Sequence, residues 1–309
     1  MDEKVTEILE DLFFIERGYL NANHFVYRGR PLALIDTGYK ASFEETHRIF
    51  IRLGIDISSV RTIFTTHCHC DHIGGNRLIQ KLSYCDIILH EIGKIFIDTR
   101  DNWSTWWRYY NQQADFFKPT GALADGDVIL VGPHRFEVFH TPGHAADGIV
   151  LYNRENGLLI SSDTLWAHDL AVHTVRVEGS TAAYATKKSL ERLARLDVKM
   201  VYPGHGPFFG DFYGALERSL ERVAGYLDDR RKIGQDVLKK ITVYTLLMKK
   251  SVSADRFFDF LMQTIWFKET VDLYFEGAYR QKYDEIIADF LKKKIIIRRA
   301  DQFYTSVMP

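Results

Sequence analysis

The segment Thr66-His67-Cys68-His69-Cys70-Asp71-His72-Ile73-Gly74-Gly75 constrains this chain more than any other. It places three histidines and an aspartate directly behind residues 60–65, a β-branched run that reads as a strand. A strand end projects successive side chains into a cleft without helical periodicity. His67 and His69 can then reach one metal ion, while Asp71 and His72, a tight turn later, face a second. Neutral imidazole and carboxylate suit zinc, and also iron or manganese. A closed structural zinc site is usually thiolate-rich, whereas this set is what an open catalytic site carries. Cys68 and Cys70 alternate with the histidines and read as small buried packing residues.

Three later segments follow the same plan. Thr141-Pro142-Gly143-His144, Ser161-Ser162-Asp163-Thr164 and Tyr202-Pro203-Gly204-His205-Gly206 each put a ligand-type residue just past a predicted strand. Proline and glycine beside the ligand fix the turn and let backbone approach closely. Each is a common loop motif alone; the weight lies in their order behind the first cluster.

The first two hundred residues alternate short strands with helices. Strands are predicted over 23–27 and 33–38, around the turn 28–31, and then over 60–65, 86–89, 126–131, 135–139, 148–152, 157–161 and 200–202. Helical spacing covers 43–53, 78–82 and 182–196. After about residue 211 the pattern turns helical, over 215–227 and 233–247, and ends β-like at 294–298. Two parts follow: a catalytic domain over 1–215 and a helix-rich, winged-helix-like module over 216–309.

Composition then excludes several classes. The net charge of −1 advertises neither nucleic acid nor a membrane surface as the partner. The tail from residue 211 carries 18 basic and 15 acidic side chains, against 22 and 26 before it, so it is only mildly basic. No stretch approaches the ~20 apolar residues of a membrane span. Met1-Asp2-Glu3-Lys4 shows no basic segment ahead of an apolar run, so a secretory leader is not expected. The three cysteines Cys68, Cys70 and Cys85 are an odd number, which argues for a reducing, cytoplasmic setting.

In its His-x-His-x-Asp-His run at 67–72, followed in order by His144, Asp163 and His205, the sequence resembles the metallo-β-lactamase fold superfamily. The resemblance spans roughly residues 10–210. Asp36, in Ile35-Asp36-Thr37-Gly38, matches the family's early aspartate, which supports the metal loop from behind. What the resemblance implies is an α/β fold, a four-layer αββα sandwich with the metal cleft at the strand ends and a mainly helical C-terminal extension. It implies two divalent ions, zinc before iron or manganese. His67, His69 and His144 would hold one, Asp71, His72 and His205 the other, and Asp163 would bridge them. Cysteine is absent from the Asp163 and His205 positions, so the set is similar to the hydrolase branches, the glyoxalase II-like proteins foremost, rather than to the zinc β-lactamases. Asp71 and Asp163 would be the catalytic carboxylates, orienting a hydroxide shared between the ions and accepting its proton.

The expected reaction is hydrolysis of a small ester, thioester or lactone. Lactonases of the superfamily place a tyrosine three residues after the bridging aspartate; here that position is Trp166, which departs from the lactonase pattern. His168 and His173 follow closely and are candidate proton donors, with surface or packing roles as the plainer reading. Trp103, Trp106, Trp107, Tyr109 and Tyr110, followed by Phe116 and Phe117, form an aromatic segment. It is expected either to roof a substrate pocket, with Trp106, Trp107, Tyr110, Trp166 and His173 lining it, or to serve as a packing helix or homodimer interface. Three other functions compete. A metal-dependent endoribonuclease or phosphodiesterase would use Lys292, Lys293, Lys294, Arg298 and Arg299 as a nucleic-acid platform. An iron-dependent oxygenase would alter the ligand set, which here is intact. A metal-free binding module would lose a ligand position, and none is lost. A small-molecule substrate is favoured over nucleic acid.

Overall fold

A computed structural model describes residues 4–308; Met1-Asp2-Glu3, read above for a leader, and Pro309 lie outside the described residues. The apolar run Leu12-Phe13-Phe14-Ile15 pairs back on the segment before it, so the chain opens with an antiparallel hairpin, β1 (Lys4–Leu9) and β2 (Leu12–Glu16). The sequence reading passes over both strands. The strands β3 (His24–Tyr27) and β4 (Ala33–Ile35) continue antiparallel. From β4 the sheet turns parallel through β5 (Thr62–Thr65), β6 (Asp86–His90) and β7 (Gly121–Leu123). Parallel neighbours need crossovers, and these are α1 (Phe43–Arg52) before β5, then α2 (Cys70–Ile73) and α3 (Asn76–Ser83) before β6. The helix α4 (Glu91–Asp98) follows β6. All seven strands lie in sequence order in one sheet.

A second sheet takes β8 (Val128–Val131), β9 (His134–His140), β10 (Ile149–Asn153), β11 (Leu158–Ser162) and β12 (Met200–Pro203) in the order β12-β11-β10-β9-β8. Only β11 and β12 run parallel, joined through α5 (Val175–Glu178) and α6 (Ala182–Leu193). Successive strand residues face opposite ways, and here they enter two different cores. Phe25, Ile35, Phe64, Leu151 and Ile160 meet between the sheets. Their sequence neighbours Val26, Leu34, Ile63, Val150 and Leu159 pack outward, into the core beneath the helices. The result is helix, sheet, sheet, helix: the four layers expected.

The remaining chain forms α7 (Phe212–Asp228), α8 (Arg231–Lys249), β13 (Val252–Ser253), α9 (Phe257–Leu261), α10 (Ile265–Phe275), α11 (Tyr279–Lys292), β14 (Ile296–Arg299) and β15 (Gln302–Thr305). Its small sheet has the order β13-β15-β14. Leu216, Val223, Leu238 and Ile241 join the same core beneath the helices as Ile63 and Val150, which fixes α7 and α8 against the sandwich. No helix of the described residues is long and apolar enough to cross a membrane. The aromatic segment 103–117 is built of turns as far as Asn111 and irregular chain beyond, so the packing helix considered for it does not form.

The topology brings the ligand-type loops to one end. β4, β5, β9, β11 and β12 end at Ile35, Thr65, His140, Ser162 and Pro203, just before Asp36, His67, His144, Asp163 and His205. Crevices at the carboxyl ends of parallel strands are where ligands gather in α/β sheets.

Candidate metal centre

The seven residues singled out in sequence converge. Ligand atoms of His67, His69 and His144 lie within 4.8 Å of one another, as do those of His67, His72 and Asp163, and those of Asp71, His72 and His205. The three groups overlap through His67 and His72. Asp163 Oδ2 stands 3.3 Å from His144 Nε2, 3.5 Å from His72 Nε2 and 3.7 Å from His205 Nε2, so one carboxylate oxygen reaches both ends of the cluster. Asp71 Oδ2 lies 3.1 Å from His205 Nε2.

Three of the five imidazoles are oriented from behind. His144 Nδ1 donates to Val172 O (2.7 Å), His205 Nδ1 to Gly18 O (3.2 Å) and His72 Nδ1 to Asp36 Oδ2 (2.8 Å). Such outer hydrogen bonds fix the tautomer and turn the Nε2 lone pair inward. The Nε2 atoms of His67, His72 and His205 are buried and find no well-aligned hydrogen-bond partner among the described residues. Buried polar atoms are ordinarily paired, so converging lone pairs beside two carboxylates fit a bound cation. Asp36 adopts a left-handed backbone (φ +58°) and also accepts from Thr66 N (2.8 Å) and Thr66 Oγ1 (2.7 Å). It therefore ties the loop after β5 to the end of β4.

The electrostatics agree. Burial holds the His67 and His69 imidazoles well below their ordinary pKa, with neighbouring histidines adding to it. Burial pulls His72 and His205 the same way, yet Asp163, Asp36 and Asp71 around His72, and Asp163 and Asp71 around His205, reverse it and leave both raised. Asp163 is pushed up by burial, but His205, His72 and His144 outweigh that and hold it well below the carboxylate range. Carboxylates that raise His72 and His205 against the pull of burial make this end of the cluster one that favours cations.

The loops need their glycines. A Cβ on Gly204 would lie 2.0 Å from Asp163 Oδ1, and one on Gly143, at φ +147°, would lie 2.0 Å from Thr186 Oγ1.

Of the expected pocket residues, three line the cleft. Trp106 stacks on His69 with ring centroids 3.9 Å apart, Trp166 donates its indole N–H to Asp163 Oδ1 (3.3 Å), and Tyr110 walls the cavity. Trp107 does not line it: the indole donates to Cys68 O (3.0 Å) and the ring packs on Phe116, beneath the ligand loop. Asp147 Oδ2 accepts from Cys68 N (2.9 Å), so the residue between His67 and His69 is clamped at both backbone groups. His173 is not in the cleft either. Its Nδ1–H donates to Ala171 O and its Nε2 meets Thr186 Oγ1, while burial, then His144 and Lys240, push its pKa down to about 3, so the ring is neutral and its one N–H is already engaged. His168 is exposed.

Sequence reasoning misses the contribution of α8. Tyr244 Oη donates to Asp71 Oδ2 (3.0 Å), and Tyr19 packs on Tyr244 with centroids 5.1 Å apart. Lys240 is buried and pairs with Asp236 (2.8 Å) and Asp169 (3.0 Å), pinning the loop after Asp163 to α8. Only the i, i+4 placement of Lys240 and Tyr244 on one helix face could have hinted at this.

Glu178 Oε1 accepts from the Trp106 indole (2.8 Å), which makes it the support for the ring over His69. Burial pushes its carboxyl up to about 8 from 4.5, against the Trp106 hydrogen bond. Between these values the unfolded chain ionises while the folded protein stays protonated, so folding stability falls as pH rises through the window. Glu178→Gln should therefore raise Tm by a few degrees at pH 8 and hardly at all at pH 4.5. Calorimetric Tm against pH checks this; a gap independent of pH would contradict it.

Residues 18–205 match the Metallo-beta-lactamase superfamily sequence family. An acyl-coenzyme A thioesterase of Gallus gallus is 27% identical over 160 residues, which are 47% of this chain and 56% of that protein, so the chain spans little more than half of that relative's length. A hydroxyacylglutathione hydrolase of Maricaulis maris is 30% identical over 114 residues, 35% of each chain. The crystal structure of a metallo-β-lactamase family protein from Thermus thermophilus superposes with a TM-score of 0.62 at 20% identity, over 97% of this chain and 100% of that one.

Proposed function

Because the chain belongs to the metallo-β-lactamase superfamily, we propose that it is a metal-dependent hydrolase of acyl thioesters. In this reading His67, His69 and His144 would hold one divalent ion, Asp71, His72 and His205 would hold a second, and Asp163 would serve both. The observation that carries it is Asp163 Oδ2, within 3.3–3.7 Å of imidazoles from both groups. Bound divalent ions, zinc foremost, supply Lewis acidity and lower the pKa of water towards ~7.

The chain's own residues do the rest. Trp166 holds the Asp163 carboxylate through its indole N–H, and Tyr244 does the same for Asp71. Asp71 Oδ2, set between Tyr244 and His205, takes the proton of the attacking water. Trp106 roofs His69 and keeps bulk water from the reacting carbonyl. The thioester class follows from two supports. Relatives named for hydrolysis of acyl-coenzyme A and hydroxyacylglutathione act on acyl groups carried by a thiol. Trp166, engaged with Asp163, offers no hydroxyl where lactonases carry a tyrosine, which weighs against lactones.

We take residues 1–215 as the catalytic part and 216–309 as an added module, with the amendment that α8 lends Tyr244 to the cleft. Over residues 211–309, 18 basic side chains meet 15 acidic ones, and of the platform candidates Lys293 pairs with Asp289 (2.9 Å) and Arg298 stands 3.9 Å from Asp255. That balance disfavours a nucleic-acid platform.

Assays of zinc-loaded protein on thioester, lactone, phosphodiester and RNA substrates test the proposal. Thioester turnover should exceed the others by about tenfold or more, a difference of ~1.4 kcal/mol in barrier. A chelator should abolish it and zinc restore it. Faster phosphodiester or RNA cleavage would overturn the reading. Tyr244→Phe should keep both metals and lose about tenfold in turnover, as removal of an outer hydrogen bond does; unchanged turnover would remove Tyr244 from the mechanism.

A further inference from the structure

The metal cleft encloses only about 40 Å³, room for a water or two and not for an acyl thioester. Two larger cavities adjoin it, and Tyr110 lines all three. The larger, about 830 Å³, is divided from the cleft by a wall that includes Tyr110. Three pairs of sequence neighbours straddle that wall: Tyr19 faces the cleft and Leu20 the cavity, Tyr244 the cleft and Thr245 the cavity, Gln112 the cleft and Gln113 the cavity. Tyr39 also lines the large cavity.

The lining sorts ligands. An apolar floor of Leu20, Leu246, Met248, Phe260 and Trp266 is interrupted by the polar groups of Asn111, Gln113 and Thr264. At the rim stand Arg48, Lys249 and Lys250, with Lys249 Nζ 4.3 Å from the Phe260 ring centroid. Glu44 and Glu45 share the rim, but Glu45 is bound to Arg17 at 2.6 Å. The second cavity, about 340 Å³, carries Glu269 and Asp272 beside the cation Arg176, which pairs with Glu269 at 3.3 Å. Among the described residues, three cations against two carboxylates line the first and one cation against two carboxylates the second, so an anionic group favours the first.

We propose that the 830 Å³ cavity under α8 binds the thiol-carrier arm of the substrate, a long amide-bearing carrier ending in phosphates, of the coenzyme A kind. The floor takes the carrier's alkyl segments, Asn111, Gln113 and Thr264 its amides, and Arg48, Lys249 and Lys250 its phosphates, at a volume within the ~300–1,000 Å³ of small-molecule sites. The segment that carries Tyr110 to Gln113 is the partition that must shift to let the thioester carbonyl reach the metals. This assignment rests on the thioester reading above but is tested apart from it.

The probe is desulfo-coenzyme A, which lacks the sulfur that could bind metal, titrated calorimetrically into the full-length zinc-loaded protein. Lys249→Glu/Lys250→Glu should weaken its binding at least tenfold, and Met248→Trp, which fills the floor, should do likewise with the charges intact. In parallel, both variants should lose at least tenfold more kcat/KM on an acyl-coenzyme A than on the same acyl group carried by N-acetylcysteamine, which has no phosphates. Binding that is absent in the wild type, or equal in wild type and variants, overturns the cavity assignment even where thioesters are hydrolysed. Binding that the variants weaken, in a protein that hydrolyses no thioester, upholds the cavity and overturns the reaction.

Discussion

Asp163→Ala is expected to lose metal and nearly all activity while remaining folded. Among the described residues, this carboxylate is the one acidic group in contact with His144, His72 and His205 together, so its removal separates the two halves of the cluster. Several kcal/mol of transition-state stabilisation go with the metals, and turnover should fall by roughly 10³-fold or more. The backbone bonds around it do not use this side chain: Thr164 N bonds to Ser161 O (3.0 Å) and Gly204 N to Ser162 O (2.8 Å). Metal content by mass spectrometry, beside circular dichroism and gel filtration, checks the result. Two tightly held ions in the variant would remove Asp163 from the bridging position.

Gly204→Ala should damage the centre without touching a ligand. Its added Cβ would lie 2.0 Å from Asp163 Oδ1 and 3.1 Å from both the Ser162 carbonyl carbon and His72 Cε1. The hydrogen bond to Ser162 O prevents the backbone from retreating, so the carboxylate must give way. A loss of about 10- to 100-fold in activity is expected, with metal content below that of the wild type. Gly206 supplies the control. It sits at φ +81° with nothing within 4 Å of its Cβ position, so Gly206→Ala adds backbone strain of about 1–2 kcal/mol and no collision. It should lower Tm and spare turnover relative to Gly204→Ala. Equal turnover in the two variants would show that crowding at Asp163 does not matter.

The ligand loops are legible in sequence because strand and loop chemistry agree there. β-branched or apolar runs end at Pro, Gly or a polar pair, and the next residue bears an imidazole or carboxylate. The N-terminal hairpin escapes because Leu12-Phe13-Phe14-Ile15 shows no alternation; all four side chains are buried, as the two-sided core requires. Trp106 and Trp107 illustrate a deeper limit. Trp106 has a left-handed backbone, φ +67°, so the two adjacent indoles diverge, one over His69 and the other beneath Cys68. Neither a period of two nor of 3.6 describes that turn. Tyr244 is out of reach for another reason, since it meets Asp71 across 173 positions through the packing of α8 on the sandwich. Local pattern places α8 as a helix but not the face it turns to the cleft.

The central claim is a pair of divalent ions held by His67, His69, His144, Asp71, His72, His205 and Asp163. Anomalous diffraction at the zinc edge from crystals of the zinc-loaded protein tests it most directly. Two peaks about 3.5–4 Å apart are expected, one against the first three histidines and one against Asp71, His72 and His205, with Asp163 between them. A single peak, or peaks away from these side chains, would contradict the account.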